Sequence, residues 1–150
     1  MSSRRISYTS AIAVLAGVLA LMTGLVGPAQ AATARVLTLT VSPTHAVGGT
    51  QITYSGAVSK TGTGQSIRLQ RKVGTSWVTV KTGTTTTGGK YSITATLTST
   101  AGLYTWRTAA PAKGTLATAY SRAVNVRSLG PAPSADDIDD ARREMLGSGH

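Results

Sequence analysis

The chain has 150 residues, 41% of them hydrophobic, a formal net charge of +10 and no cysteine. Without cysteine it forms no disulfide, carries no thiol nucleophile and offers no sulfur ligand to a metal ion. The length suits one domain of ordinary size with short appendages, and the positive charge favours anionic partners.

An apolar run near the N-terminus has the organisation of an export signal. Residues 11–26 read AIAVLAGVLALMTGLV, with Arg4 and Arg5 before the run and GPAQA after it. A basic head, an apolar middle and a small-x-small end predict a signal helix over residues 1–31, cleaved between Ala31 and Ala32. A retained membrane anchor is the alternative, although the run is shorter than the ~20 residues that a span needs.

We therefore expect a secreted or cell-envelope-associated protein with no membrane span once the signal is removed. The export route stays open between the Sec and twin-arginine pathways, because residues 3–5 read SRR. Residues 7–9, SYT, continue a twin-arginine pattern poorly, which favours Sec.

Charge is distributed unevenly after the signal. Residues 129–150 hold four Asp and one Glu against two Arg, a net charge of −3. Residues 32–128 have no Asp or Glu but eleven basic residues: Arg35, Lys60, Arg68, Arg71, Lys72, Lys81, Lys90, Arg107, Lys113, Arg122 and Arg127. This segment is expected to attract polyanions over about one Debye length, ~8 Å at physiological salt.

Residues 32–128 predict an all-β domain of seven short strands. Apolar and polar residues alternate in RVLTLTV, QITYSGAV, KYSITATL and GLYTWRTA, and a last strand is predicted near residues 118–127. Threonine occupies 23 of the 97 positions, and its branched Cβ and hydroxyl suit sheets with one wet face. We expect a seven-stranded antiparallel β-sandwich.

The two remaining strands lie in residues 65–80, QSIRLQRKVGTSWVTV, joined at residues 73–75. Ile67 and Leu69 share one face of the first strand, and Arg68 and Lys72 share the other. In the second strand Trp77 differs in parity from Val78 and Val80, so its inward face stays open; a bulge near Trp77 would reconcile them. The predicted structural core includes Ile67, Leu69, Trp77, Tyr91, Tyr104 and Trp106.

Five motifs can be recognised over about residues 36–126: IRLQRK, a lone Trp after a Gly turn, GKYSITATL, GLYTWRTA and a terminal VNV. Together they resemble the immunoglobulin-like domains of secreted or wall-associated Gram-positive proteins. Fibronectin-III-like sandwiches show a similar spacing of strands and turns. The resemblance implies an extracellular setting and brings no catalytic residue. It also implies that Tyr104 is a tyrosine-corner residue that bonds back to the preceding turn, and that Trp106 takes the core position of a cysteine in vertebrate domains.

Residues 129–150 predict a linker and an acidic tail. GPAP at residues 130–133 is a stiff linker. Ser134 and Asp137 have the spacing of a capping box, and the acidic residues precede Arg142 and Arg143, which is the charge order that a helix dipole favours. A segment of ~13 residues is marginal as an isolated helix, so we expect a short fraying helix or disorder. The opposite charges also leave open docking of the tail on the domain.

The domain lacks the usual groups for catalysis. Residues 32–128 contain one histidine, His45, and no acid to orient it. No serine lies in a nucleophile elbow, and residues 136–140 lack the glycine and the distal glutamate of an EF-hand. We predict that the protein is not an enzyme and has no cofactor, metal site or small-molecule substrate.

The candidate binding residues are Arg68, Lys72 and Arg107, which converge if they point outward on neighbouring strands, with Lys81 at the edge. Such a patch suits phosphates or carboxylates of an anionic wall polymer or an acidic polysaccharide. Solubilising and edge-protecting charges are the simpler alternative. Few aromatic side chains are expected outside the core, and Tyr120 alone is unassigned.

The signal, the predicted β-sandwich and its basic residues together predict an exported, non-catalytic binding or structural module. The alternative is an extracellular protein–protein interaction module that contacts another envelope protein through an edge strand or the acidic tail.

Overall fold

The computed structural model describes residues 30–147. Most of the predicted signal, residues 1–29, lies outside this range, while Ala31 and Ala32 at the predicted cleavage site are exposed and have no regular secondary structure. Among the described residues, no helix is long and apolar enough to cross a membrane.

The described residues form nine strands and one α-helix. They are β1 (Thr40–Ser42), β2 (His45–Ala46), β3 (Gln51–Ala57), β4 (Ser66–Val73), β5 (Ser76–Thr84), β6 (Lys90–Thr96), β7 (Gly102–Ala110), β8 (Ala119–Tyr120), β9 (Val124–Ser128) and α1 (Ala135–Gly147). The smaller sheet has the order β1-β3-β6. The larger sheet has the order β2-β9-β7-β4-β5, and β8 pairs with β7. The protein is therefore mostly β, with two sheets packed together.

The strand pattern differs from the predicted one mainly at its ends. The segment predicted as a strand over residues 35–41 makes an isolated bridge between Leu37 and Val58, and regular pairing begins only at Thr40. The predicted last strand is divided into β8 and β9, and β2 adds a short parallel pairing with β9. The other strand pairs named above are antiparallel.

The core lies between the two sheets and follows the predicted alternation. Among the predicted core residues, Ile67, Leu69, Tyr91 and Trp106 belong to the buried cluster, and Tyr104 packs against it while partly exposed. The Trp106 ring lies 5.0 Å from the ring of Tyr54, measured between centroids. Burial raises the pKa of Tyr54 above its ordinary value.

Trp77 was predicted to lie in the core and instead lies on the outer face of the larger sheet. The β4–β5 turn has two central residues, of which Gly74 has a φ of 58°. This turn pairs Lys72 with Trp77. Directly opposite residues share a face of a sheet, so Trp77 points outward with Lys72.

Tyr91 connects the two sheets through its hydroxyl group. The hydroxyl contacts the Thr38 carbonyl oxygen and lies 2.8 Å from Thr108 Oγ1 of β7, whose side chain is fully buried. Burial raises the pKa of Tyr91, which keeps the hydroxyl protonated and able to donate. A buried polar group of this kind is stable because it is hydrogen-bonded.

Arg35, one of the eleven basic residues of the domain, is buried. Its side chain is 8% exposed. Its Nε donates to the Ala117 carbonyl at 2.9 Å, and its Nη2 donates to the carbonyls of Ala110 and Pro111 at 3.0 and 2.7 Å. The guanidinium therefore fastens the N-terminal segment to the loop that connects β7 with β8.

Helix α1 begins at the predicted capping box and is exposed along its whole length. Ser134 Oγ and the Ser134 N–H both donate to Asp137 Oδ2, at 2.7 and 2.9 Å. These hydrogen bonds hold the pKa of Asp137 below its usual value. No residue of α1 is buried.

Candidate functional site

Arg68, Lys72 and Arg107 lie on one outward face of the larger sheet. Gln70 of β4 pairs with Arg107 of β7, and Arg68 and Lys72 lie two positions to either side of Gln70. With a rise of about 3.3 Å per residue, each of these two Cα atoms lies about 7 Å from that of Gln70. We call this surface the basic face and define it by Arg68, Gln70, Lys72, Trp77, Arg107 and Tyr120.

Arg107 is held between two aromatic rings at the centre of the basic face. Its Cζ lies 4.2 Å from the ring centroid of Trp77 and 4.2 Å from that of Tyr120. Trp77 reaches it from β5, across β4, and Tyr120 reaches it from β8 on the other side of β7. Each exposed cation–π contact contributes roughly 0.5–1 kcal/mol. The guanidinium is thus confined from two sides.

A hydrogen bond to Gln70 further restricts the orientation of the Arg107 side chain. Arg107 Nε donates to Gln70 Oε1 at 2.9 Å, and Gln70 Nε2 donates to Thr79 Oγ1 at 3.3 Å. The chain of hydrogen bonds runs across three strands, from β7 through β4 to β5. The guanidinium therefore has a defined orientation before any ligand arrives.

The basic face has no counter-charge within the domain, because residues 32–128 contain no Asp or Glu. Within residues 30–147, the ion pair found joins Asp140 and Arg143 of α1. Like charges that share a face repel one another, and an anion that binds there relieves this repulsion. The face is suited to bind anions.

Lys81, predicted to lie at the edge of this patch, points away from it. Pairing shifts between Leu69 and Gln70, which face Lys81 and Thr79, so Val80 is the extra residue of a β-bulge. The bulge reverses the alternation of β5, and Lys81 takes the side of Leu69. Its Nζ donates to the Thr94 carbonyl of β6 at 2.7 Å. Lys81 therefore spans the open edge between the two sheets.

Arg127 extends the outward face of the larger sheet toward its other end. It pairs with Leu103, which lies four positions before Arg107 on β7. A hollow of about 370 Å³ is lined by this pair and its neighbours: Ala101, Gly102, Leu103, Arg127, Ser128 and Leu129. A polymer lying along β7 would meet Arg107 and then Arg127.

Sequence reasoning missed Trp77 and Arg127 as members of this surface and left Gln70 and Tyr120 without a role. The sequence did carry one usable signal: a two-residue turn at Gly74 and Thr75 sets the register that places Trp77 beside the cations. The approach of Tyr120 depends on β8, a strand of two residues whose pairing no local pattern predicts.

Other chemistry is not supported by the described residues. His45 is exposed, and its Nδ1 lies 3.5 Å from Thr44 Oγ1 of the neighbouring residue. Between residues 30 and 147, no group of three or more His, Cys, Asp or Glu residues is placed to hold a metal ion.

The fold and the site define a cysteine-free, two-sheet β domain with a basic outer face. Comparisons of the chain with protein-family models, with curated proteins and with solved structures find no match. Its function is therefore inferred from its own residues and their geometry.

Proposed function

We propose that this protein is an exported, non-catalytic immunoglobulin-like module that binds an anionic cell-envelope polymer through its basic face. The observation that carries the proposal is Arg107, which is oriented by Trp77, Tyr120 and Gln70 on a surface without carboxylates. A solubilising charge needs no such support, because solvated cations work equally well when they are mobile.

Two features support the immunoglobulin-like part of the proposal. The order β1-β3-β6 against β9-β7-β4 corresponds to strands A, B and E against G, F and C of that fold. Tyr104 Oη donates to the Thr100 carbonyl at 2.9 Å, as a tyrosine corner requires, and Trp106 lies two residues later in the core.

Export is supported by the signal-like sequence and by backbone hydrogen bonds that lie just after the predicted cleavage site. The Thr33 N–H donates to the Thr115 carbonyl at 2.7 Å, and the Ala117 N–H donates to the Thr33 carbonyl at 2.9 Å. These are backbone contacts just beyond the predicted cleavage site. Cleavage between Ala31 and Ala32 would leave the folded domain intact, with its new N-terminus exposed.

A polymer is favoured over a small ligand because the cations are spread along the sheet. Arg68, Lys72, Arg107 and Arg127 are distributed along the outer face of the larger sheet rather than gathered around one cavity. Several weak contacts in a row suit a repeating anionic chain, whose binding weakens as salt rises.

The test is retention of residues 32–150 on immobilised wall polymer and on heparin across a salt series. We expect retention at low salt that is lost as salt increases. Lys72→Ala should lower the salt concentration of elution, whereas Lys90→Ala, the matched control on the outer face of the smaller sheet, should change it less. Equal effects of the two substitutions, or retention independent of salt, would contradict the proposal.

A second candidate function is partner binding through α1. The helix carries exposed apolar side chains, with Ile138 at 53% and Leu146 at 77% exposure, beside its acidic residues. A fully exposed amphipathic helix suits a groove on another envelope protein. The edge strand β5 is less suited, because its bulge at Val80 and the adjacent Lys81 disfavour strand addition. Envelope proteins captured by residues 32–150 but not by residues 32–128 would support this role.

A further inference from the structure

Arg107 keeps most of its hydrogen-bonding capacity for a ligand. A guanidinium has five N–H donors, and the structure assigns one of them, on Nε, to Gln70. In the described part of the chain, neither Nη atom of Arg107 donates to a protein acceptor. Four donors in a planar fork therefore remain for an acceptor outside the protein.

The two rings limit where a ligand can reach this fork. Trp77 and Tyr120 pack against the guanidinium from β5 and from β8, which leaves the Nη groups for a ligand. A carboxylate or a phosphate has two oxygens that can accept two parallel hydrogen bonds from such a fork. Since the orientation of Arg107 is set in advance, little entropy is lost when the ligand binds.

The surroundings of the fork favour a sugar as the carrier of that group. Tyr120 is 55% exposed although one side of its ring lies against the guanidinium, so much of the remaining ring faces solvent. An aromatic ring with a polar hydroxyl suits a partner that has both an apolar face and hydroxyl groups. A pyranose ring has both, whereas a plain phosphate chain has no apolar face.

We infer that Arg107 recognises the carboxylate of an acidic sugar, so that the ligand of the basic face is a uronate-type polysaccharide rather than a polyphosphate-type chain. This inference rests on the proposed function and names its ligand class. Arg68 and Lys72 supply attraction that any polyanion shares, and Arg107 with Tyr120 supplies the discrimination.

The experiment measures binding of three probes to residues 32–150 by calorimetry. The probes are a galacturonate oligomer, the same oligomer with its carboxylates methyl-esterified, and a polyphosphate of equal charge. The variants are Arg107→Lys, which keeps the charge but loses the planar fork, and Tyr120→Leu, which removes the ring. Arg122→Lys, an exposed arginine outside the basic face, is the matched control, and thermal unfolding verifies that each variant is folded.

The inference predicts that the galacturonate oligomer binds more tightly than the polyphosphate and that the ester does not bind. Arg107→Lys should weaken galacturonate binding about tenfold, because lysine offers no planar fork to the carboxylate. Tyr120→Leu should also weaken galacturonate selectively, while Arg122→Lys changes neither. Polyphosphate binding as tight as galacturonate binding, or galacturonate affinity unchanged in Arg107→Lys, would overturn the inference and leave the proposed function standing. Absence of binding to both polyanions would overturn the proposed function itself.

Discussion

Trp77 lies directly opposite Lys72 across the β4–β5 ladder, so a large aromatic side chain stands among the cations of the outer sheet face. The ring is half-buried there because Arg107 packs on it. The two tryptophans of the chain therefore have different roles: Trp106 fills the core, and Trp77 orients a surface arginine.

The two tryptophans should differ in their effect on stability. Trp106→Ala removes a side chain that is 3% exposed and should lower the free energy of unfolding by about 3–5 kcal/mol. Trp77→Ala removes the surface contact with Arg107 and should lower the free energy of unfolding by about 1 kcal/mol. Urea unfolding of both variants measures the difference, and equal losses would contradict the assignment of Trp77 to the outer face.

Gly56 should tolerate no side chain. A Cβ at this position would lie 2.1 Å from the Thr38 carbonyl oxygen, which is backbone and has no room to move away. Gly56→Ala should lower the free energy of unfolding by about 3 kcal/mol. Gly62→Ala is the matched control, because a Cβ there has nothing within 4 Å, and it should change stability by less than about 0.5 kcal/mol. Similar midpoints in urea for both variants would refute the close approach.

Arg35 should matter for the β7–β8 loop more than any exposed cation does. Arg35→Ala removes the guanidinium donors to the carbonyls of Ala110, Pro111 and Ala117 and should lower the free energy of unfolding by about 3 kcal/mol. Hydrogen exchange should speed up in residues 111–117. Lys113→Ala, which removes an exposed cation of the same loop, should alter neither quantity. Exchange in the loop that stays unchanged in Arg35→Ala would contradict this role.

Helix α1 should lose structure in acid. Hydrogen bonds from Ser134 lower the pKa of Asp137 relative to the unfolded chain, so ionised Asp137 stabilises the helix above its usual pKa. That stabilisation disappears as pH falls below about 4 and through the lowered pKa. Carbon chemical shifts of residues 135–147 report the helix content. Asp137→Asn should reduce helix content at neutral pH and remove this part of the pH dependence; equal pH profiles in the two proteins would contradict it.

Alternation in the sequence was enough to predict the all-β class and most of the buried face. A strand with one buried and one solvent-exposed face has apolar residues at every second position. This alternation correctly predicts the burial of Ile67, Leu69, Tyr91 and Trp106. The capping box of α1 could also be predicted from the sequence, because Ser134 and Asp137 interact within one helical turn.

The parts that sequence could not supply depend on pairings between distant residues. A single extra residue at Val80 reverses the faces of β5 and sends Lys81 to the other sheet, and alternation alone does not locate such a bulge. Arg35 is buried because carbonyls 75 to 82 residues away accept its hydrogen bonds, a contact that local pattern does not reveal.

The most direct measurement of the central claim is an NMR titration of isotope-labelled residues 32–150 with a galacturonate oligomer. Binding through the basic face predicts shift changes at Arg68, Gln70, Lys72, Trp77, Arg107 and Tyr120, including the side-chain resonance of Arg107 Nε and the indole N–H of Trp77. The outer face of the smaller sheet, which carries Ser92 and Thr94, should stay unchanged. Shift changes centred on that sheet, or none at either face, would contradict the account.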